Sequence, residues 1–436
     1  MPPVEGSEPA RAYAQLKPIR NGHTREEVAK HQRARLYAAM IELLPVRGYA
    51  GTSNRELCAR AGVSQKTTYI HFKSKEGYFL ATYWMIVRRA ALRVTAAYRA
   101  KAEWSEQIHD GFHAFIAEVV NQPGAARLAL VESLGAGPRA LEAMTSASAG
   151  FERMVGASFA KSPAKVNVPP IVLRAIVGGI ARVVRQRLLD DRAADLPCES
   201  NELLGWMLSY HSNAARSLPP APLPRIHKSP ASVQPVAGST DEGDRIMSAA
   251  ALLAARYGYP NLSAAGIVQH ARVSDDAFFD RFPGGVEECF MAAYNQMGGE
   301  MAAYAADIAL TEEEWPRAVR AALAAVMWRI ASDDVFAQVA FVQVFAVGPS
   351  GVTSRSELMA RFSELLLRRS PPNERPSELA AEAIVGAVWQ LVHHYVVRGA
   401  ARRLPMLTDL ATYLVLVPTL GGEGAMQHVR NAQVAR

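Results

Sequence analysis

Apolar positions recur at three- and four-residue steps along most of this chain, whereas the alternation of half-buried strands is scarce. That spacing predicts an all-α protein. Over residues 31–47, Leu36, Met40, Leu43 and Leu44 fall on one helical face, Pro45 loosens the last turn, and Gly48 stands just past the end. Ser53, followed three residues later by Glu56, is a capping box that opens a second helix through Arg60. Gly62 supplies the positive φ of a tight turn, and Ser64 caps a third helix over residues 65–72. Two short helices joined in this way form a helix-turn-helix, whose second helix is the element that fits a major groove. Here that helix carries Gln, Lys, two Thr, Tyr and His and no carboxylate, the groups that bond base edges and phosphate oxygens.

The pattern then repeats. Gly48-Tyr49 recurs as Gly258-Tyr259, Val63-Ser64 as Val273-Ser274 and Phe72 as Phe282, all at an offset of 210. After one inserted residue, Phe79 and Tyr83 match Phe290 and Tyr294, and Gly137-Pro138 matches Gly348-Pro349. Ala175-Ile176-Val177-Gly178 returns as Ala383-Ile384-Val385-Gly386. Collinear matches at so long a period mean duplicated domains rather than a solenoid. The predicted organisation is a basic arm (1–24), a first domain (25–217, with its head at 31–78 and its core at 79–217), a linker (218–243) and a second domain (244–420). A flexible tail (421–436) follows. The linker holds Pro219, Pro220, Pro222, Pro224, Pro230 and Pro235 with almost no apolar periodicity.

Charge sharpens the picture. The chain is +7 overall, yet residues 17–75 alone hold twelve Lys/Arg against four Glu, a local cation cluster suited to phosphate. The stretch Gly48-Tyr49, Glu56-Leu57-Cys58, Ala61-Gly62-Val63-Ser64 and Tyr69-Ile70-His71-Phe72-Lys73-Ser74-Lys75-Glu76 resembles the DNA-binding signature of the TetR family of bacterial regulators. The resemblance is dense over about fifty residues and weaker beyond. It implies two TetR-like helical domains in tandem, each a three-helix head followed by a ligand-binding and dimerisation core. It also implies that Gln65, Lys66 and Thr67 reach base edges, that Thr52, Tyr69, His71 and Lys75 hold phosphates, and that Leu57, Val63 and Phe72 are core. The segment Lys17-Pro18-Ile19-Arg20 resembles the basic arm of some members, through which Arg20 enters a minor groove.

The second head reads differently. Asp275 and Asp276 stand where Gln65 and Lys66 stand, Asp280 follows, and Ala271-Arg272 replaces Ala61-Gly62. Residues 226–285 hold five Lys/Arg against six Asp/Glu, so phosphate repels this face and the second head is expected not to bind DNA.

In the family, the last two helices of each core pair between subunits. Residues 172–189 and 381–397 look like such helices, with Gly178-Gly179 and Gly386-Ala387 admitting a close partner. Pairing within one chain as a pseudo-dimer and pairing between two chains are both open, and the homodimer, on a near-palindromic double-stranded operator, is favoured. The aromatic and Met set Trp104, Phe112, Phe115, Phe151 and Met154 reads as core, so no ligand residue is assigned to the small apolar effector that the resemblance implies. His109 and His113 share a helix face without a third ligand, His393 and His394 suggest nothing, and neither cofactor nor metal is expected.

The three cysteines are scattered and read as buried, reduced thiols of a cytoplasmic protein. The longest uninterrupted apolar stretches are far short of a membrane span, and no secretory signal is apparent. No phosphate-binding glycine loop, nucleophile elbow or ligand cluster points to an enzyme. The expectation is a ligand-released repressor, and the rival is a helical dimerisation or sensing protein that does not touch DNA.

Overall fold

The computed structural model describes residues 24–218 and 241–434, and every regular element among them is helical. Helices α1 (Arg25–Gly51), α2 (Asn54–Ala61), α3 (Gln65–His71) and α4 (Lys75–Arg99) make the first head and its exit. They are followed by α5 (Trp104–Asn121), α6 (Pro138–Lys161), α7 (Pro170–Leu189) and α8 (Leu196–Ser209). A second series follows as α9 (Glu242–Tyr257), α10 (Ala264–Ala271), α11 (Asp275–Arg281) and α12 (Gly285–Leu310), then α13 (Trp315–Ser332), α14 (Pro349–Arg369), α15 (Glu378–Val396) and α16 (Thr408–Val434), with the second to seventh helices close in length to their counterparts. A π-helical turn lies between the fifth and sixth helix of each series, Leu128–Glu132 and Val339–Gln343.

Local chemistry sets most boundaries. Thr24 and Glu27 form a capping box about three turns ahead of Leu36, where the apolar face of α1 begins. Gly48, at φ 70°, breaks α1 where the sequence places its end. In α16, Gly421 makes a similar break at φ 69°, but the chain resumes its helix to Val434 and buries Ala425, Met426 and Val429. The flexible tail expected from 421 is therefore corrected: three apolar side chains spaced for one face tie it down. Likewise, Asp241 caps α9 through Asp244 N, so the second series starts inside the stretch 218–243 that reads as linker.

The chain divides into two compact units, residues up to Gly150 with Val184–Ser200, and Phe151–Val183 with the chain from Asn201 onward. Residues 151–183 and 201–217, placed by sequence in the first domain, thus group with the second. In the first unit, Leu36, Met40 and Leu44 of α1 pack with Leu57, Val63, Phe72 and Phe79 in one core, and Phe72 stacks on Tyr78 with centroids 4.7 Å apart. In the second unit, Ile246, Ile267, Phe278, Phe282 and Cys289 form the corresponding core of the α9–α11 head.

The second unit also contains a tight helical seam. A Cβ on Gly179 would lie 2.6 Å from Ala383 O, and one on Gly386 would lie 2.5 Å from Arg182 Cβ and 3.2 Å from Gly179 Cα. Gly179 and Gly386 thus face one another, α7 against α15, at a spacing that no side chain permits. Arg182, buried here, reaches Glu382 Oε1 at 3.2 Å and Ser356 O at 3.3 Å. Arg174 pairs with Glu152 at 3.1 Å and meets the His394 ring at 2.7 Å, while Arg398 Nη1 stands 2.7 Å from His394 Nδ1. Burial, and then the two guanidiniums, push the His394 pKa down to about 3, so this histidine stays neutral.

The stretch Ala401–Ala432 is long and apolar enough to cross a membrane, which corrects the sequence impression that nothing approaches that length; most of its apolar window is buried in the fold, as in a core helix. Cys58 and Cys289 are buried, but Cys198 is exposed, against the expectation of three buried thiols.

Candidate nucleic-acid interface

The turn between α2 and α3 is built as its residues dictate. Ser53 Oγ accepts from Glu56 N at 3.2 Å while the Glu56 carboxylate accepts from Ser53 N at 2.8 Å, closing the capping box. These hydrogen bonds hold the Glu56 carboxyl below its ordinary range. Gly62 adopts φ 59°, and Arg35 Nη2 donates to its carbonyl at 3.0 Å, which ties the turn to α1. Ser64 then accepts from Thr67 N at 3.1 Å and starts α3.

One face of α3 is anchored. Thr68 is buried, donates to Ser64 O at 3.1 Å and lies 3.2 Å from Cys58 Sγ on α2. The opposite face stands out: Gln65, Lys66, Tyr69 and Ile70 are exposed, with Ile70 at 75%, and Thr67 is half-buried. Lys66 has no carboxylate partner among the described residues, and the same holds for two exposed cations that the sequence reading left unassigned, Arg55 on α2 and Lys73 in the turn before α4. By contrast, Arg47 pairs with Glu56 and Arg60 Nε with Glu42 at 2.6 Å. Three cations without a carboxylate partner thus stand on α3, on α2 and in the turn before α4. Lys73 sits inside the signature stretch, and that was the signal available for it.

The other predicted contacts are distributed behind this face. Thr52 is 1% exposed and donates to Gly48 O at 2.8 Å, so its hydroxyl braces the break in α1. Lys75 is half-buried, bonds the Tyr49 carbonyl and lies 4.2 Å over the Tyr49 ring; burial lowers its pKa against the pull of Glu56. His71 Nε2 meets Gln32 Oε1 at 3.0 Å, linking α3 to α1, and burial followed by Arg33 lowers its pKa. Arg20 lies outside the described residues. No metal-holding cluster of three or more His, Cys, Asp or Glu occurs among the described residues; His109 contacts Asp110 and His113 contacts Ser200.

The second head has the same frame. Ser263 and Ser274 cap α10 and α11 through Gly266 N at 3.2 Å and Ala277 N at 3.1 Å. Arg272 takes φ 55°, the left-handed conformation that Gly62 takes in the first head. Asp275, Asp276 and Asp280 are all exposed on α11.

Residues 36–82 match the family model described as bacterial regulatory proteins, tetR family. None of the curated proteins matches the chain. Among solved structures, the chain is similar to the transcriptional regulator FadR from Bacillus subtilis, solved in complex with stearoyl-CoA, at 17% identity and a TM-score of 0.37, covering 40% of this chain and 97% of that one. It is also similar to the fatty acid degradation regulator FadR from Bacillus halodurans at 14% identity and a TM-score of 0.38, covering 41% of this chain and 94% of that one. At that distance the likenesses carry nothing about ligands. The family match covers the capped turn, α3 and the first residues of α4, the segment whose outward face has just been described.

Proposed function

We propose that this protein is a DNA-binding transcriptional regulator that reads double-stranded DNA through α3 and responds to a small effector. The observation that carries it is the exposed face of α3: Gln65, Lys66 and Tyr69 stand outward without a carboxylate among them, inside the segment matched to a family of regulators rather than enzymes. Gln65, Lys66 and Thr67 read base edges, and Tyr69, Lys73 and Arg55 hold phosphates. Thr52, His71 and Lys75 position α3 and the start of α4 from behind. The chain is a tandem of two such domains, and its second head is a scaffold that does not bind DNA. Repression relieved by the effector is the mode of control.

The pairing runs within one chain. The small residues Gly179 of α7 and Gly386 of α15, which would otherwise receive a partner subunit, pack on each other, which supports a pseudo-dimer over the homodimer favoured on sequence grounds. One competent head then serves each chain, and its operator is a single half-site rather than a near-palindrome. Gel shifts with DNA from upstream of the protein's own gene, over a salt series, test the reading. A steep loss of affinity with salt is expected, with a slope that falls by about one on Lys73→Gln. Salt-insensitive binding unchanged by that substitution defeats it and favours the dimerisation or sensing protein. Sedimentation tests the pairing: a species near the 47.3 kDa chain mass is expected, and a stable species of twice that mass overturns it.

A further inference from the structure

The second unit holds a partly open cavity of about 180 Å³ lined by α12, α13, α14 and α15. Of the charged residue types, only Arg355 and Arg369 line it, and no Asp or Glu does. The lining positions on α14 recur at three- and four-residue steps from Arg355 to Arg369. The cavity therefore follows one face of that helix for about 21 Å, at roughly 1.5 Å per residue. A volume only a little above that of a cavity filled by benzene, with lining drawn out over such a length, suits one unbranched apolar chain.

The two ends differ. Arg355, 2% exposed, lays its guanidinium 3.9 Å from the Trp389 ring centroid and 5.5 Å from that of Phe345, so its charge is met by aromatic faces. Arg369 Nη2 donates to Ala309 O at 2.8 Å and Glu312 O at 3.3 Å, where α12 ends. Its Nε is buried without a hydrogen bond, and no carboxylate among the described residues pairs with it. Trp315, 6% exposed and opening α13 just beyond Glu312, lines the same cavity, and its Nε1–H is also buried without a partner. Unmet buried donors cost free energy that an acceptor would recover.

We propose that the second unit binds an unbranched apolar carboxylate, its head on Arg369 and Trp315 and its chain running along α14 toward Arg355. This rests on the reading of the protein as a ligand-responsive regulator and deepens it in two ways. It names the chemistry of the effector, and it places the effector in the half whose head is acidic. At the register that sets Gly137-Pro138 against Gly348-Pro349, Met144 and Ser158 stand in the places of Arg355 and Arg369, so the first half lacks both cations. Reading and sensing are thus divided between the halves.

Titration of the full chain with sodium dodecanoate, below its aggregation concentration and followed by tryptophan emission, tests this against methyl dodecanoate as the uncharged control. Saturable one-to-one binding is expected, with the acid at least about tenfold tighter than the ester. Arg369→Met brings the two to parity while the ester still binds, and Arg369→Lys restores part of the preference. Ala322→Trp, which fills the apolar wall, removes both. Equal binding of acid and ester by the native chain, a preference that survives Arg369→Met, or no binding of either overturns the proposal. Should Arg369→Met fail to fold, the native acid–ester comparison and Ala322→Trp decide. Operator binding measured without dodecanoate separates the two readings: a chain that binds DNA but ignores dodecanoate defeats only this inference, and one that binds dodecanoate but no DNA defeats only the regulator.

Discussion

Residues 53–72 and 263–282 are built alike and face outward with opposite charge. Ser53 and Ser263 each cap the first short helix, Ser64 and Ser274 each cap the second, and Thr68 and Phe278 occupy matching buried positions. On the outward faces, Gln65 and Lys66 are replaced by Asp275 and Asp276. What the pair teaches is that the caps and the buried side of the third helix specify this unit, while the exposed side contributes little to folding and is free to reverse its sign. The function lies on the side that folding does not constrain.

The largest effect should come from exchanging that sign. Lys66→Glu is expected to lower operator affinity roughly a hundredfold at about 0.1 M salt, whereas Asp276→Lys changes it by less than about twofold, both read by gel shift. A large gain from Asp276→Lys would mean that the second head already lies against DNA. The turn offers an intermediate test. Gly62→Ala places a Cβ at φ 59°, 2.2 Å from Arg35 Nη2, and should cost about 1–2 kcal/mol in urea unfolding of the first head. Arg272→Gly relieves the same left-handed geometry in the second head and should stabilise it by about 0.5–1 kcal/mol. If both substitutions destabilise, the turns are not equivalent.

A smaller contrast concerns the π-helical turns. Gln343 Oε1 accepts from Tyr259 N at 2.9 Å, and Glu132 takes the matching backbone bond from Tyr49, beside Arg127. Burial pushes the Glu132 carboxyl up to about 7, with Arg127 and the Tyr49 amide opposing. The fold therefore favours the protonated form. Its contribution to stability is full below the ordinary carboxyl range and is lost as the pH rises through about 7. Glu132→Gln should flatten that dependence, by on the order of 1–2 kcal/mol between pH 5 and 8, in thermal unfolding. An unchanged profile would assign the pH dependence elsewhere.

Much of the head was legible because its signals are local. The Ser53–Glu56 box and the turn at Gly62 are each specified within four residues. Thr52 and Lys75 were not legible: both are polar, one just ahead of α2 and the other opening α4, and only the structure shows them turned inward toward Gly48 and Tyr49. Gly178-Gly179 and Gly386-Ala387 announced a close approach but not its partner, since small residues at a seam encode distance and not identity. Arg369 was missed for the opposite reason. It interrupts an apolar face of α14 that reads as ordinary core, and only the third dimension shows its Nε and the Trp315 indole left undonated at one end of a cavity.

The seam of α7 against α15 has a consequence for dosage. Both of its faces belong to one polypeptide, so dilution cannot part them, and the stoichiometry of the two halves is fixed at synthesis. A regulator assembled from separate copies loses its grip steeply as its abundance falls, because it must first find its mate. Under the proposed pairing, a chain that carries its own mate would respond in simple proportion, and noise in its expression would pass to its target without amplification.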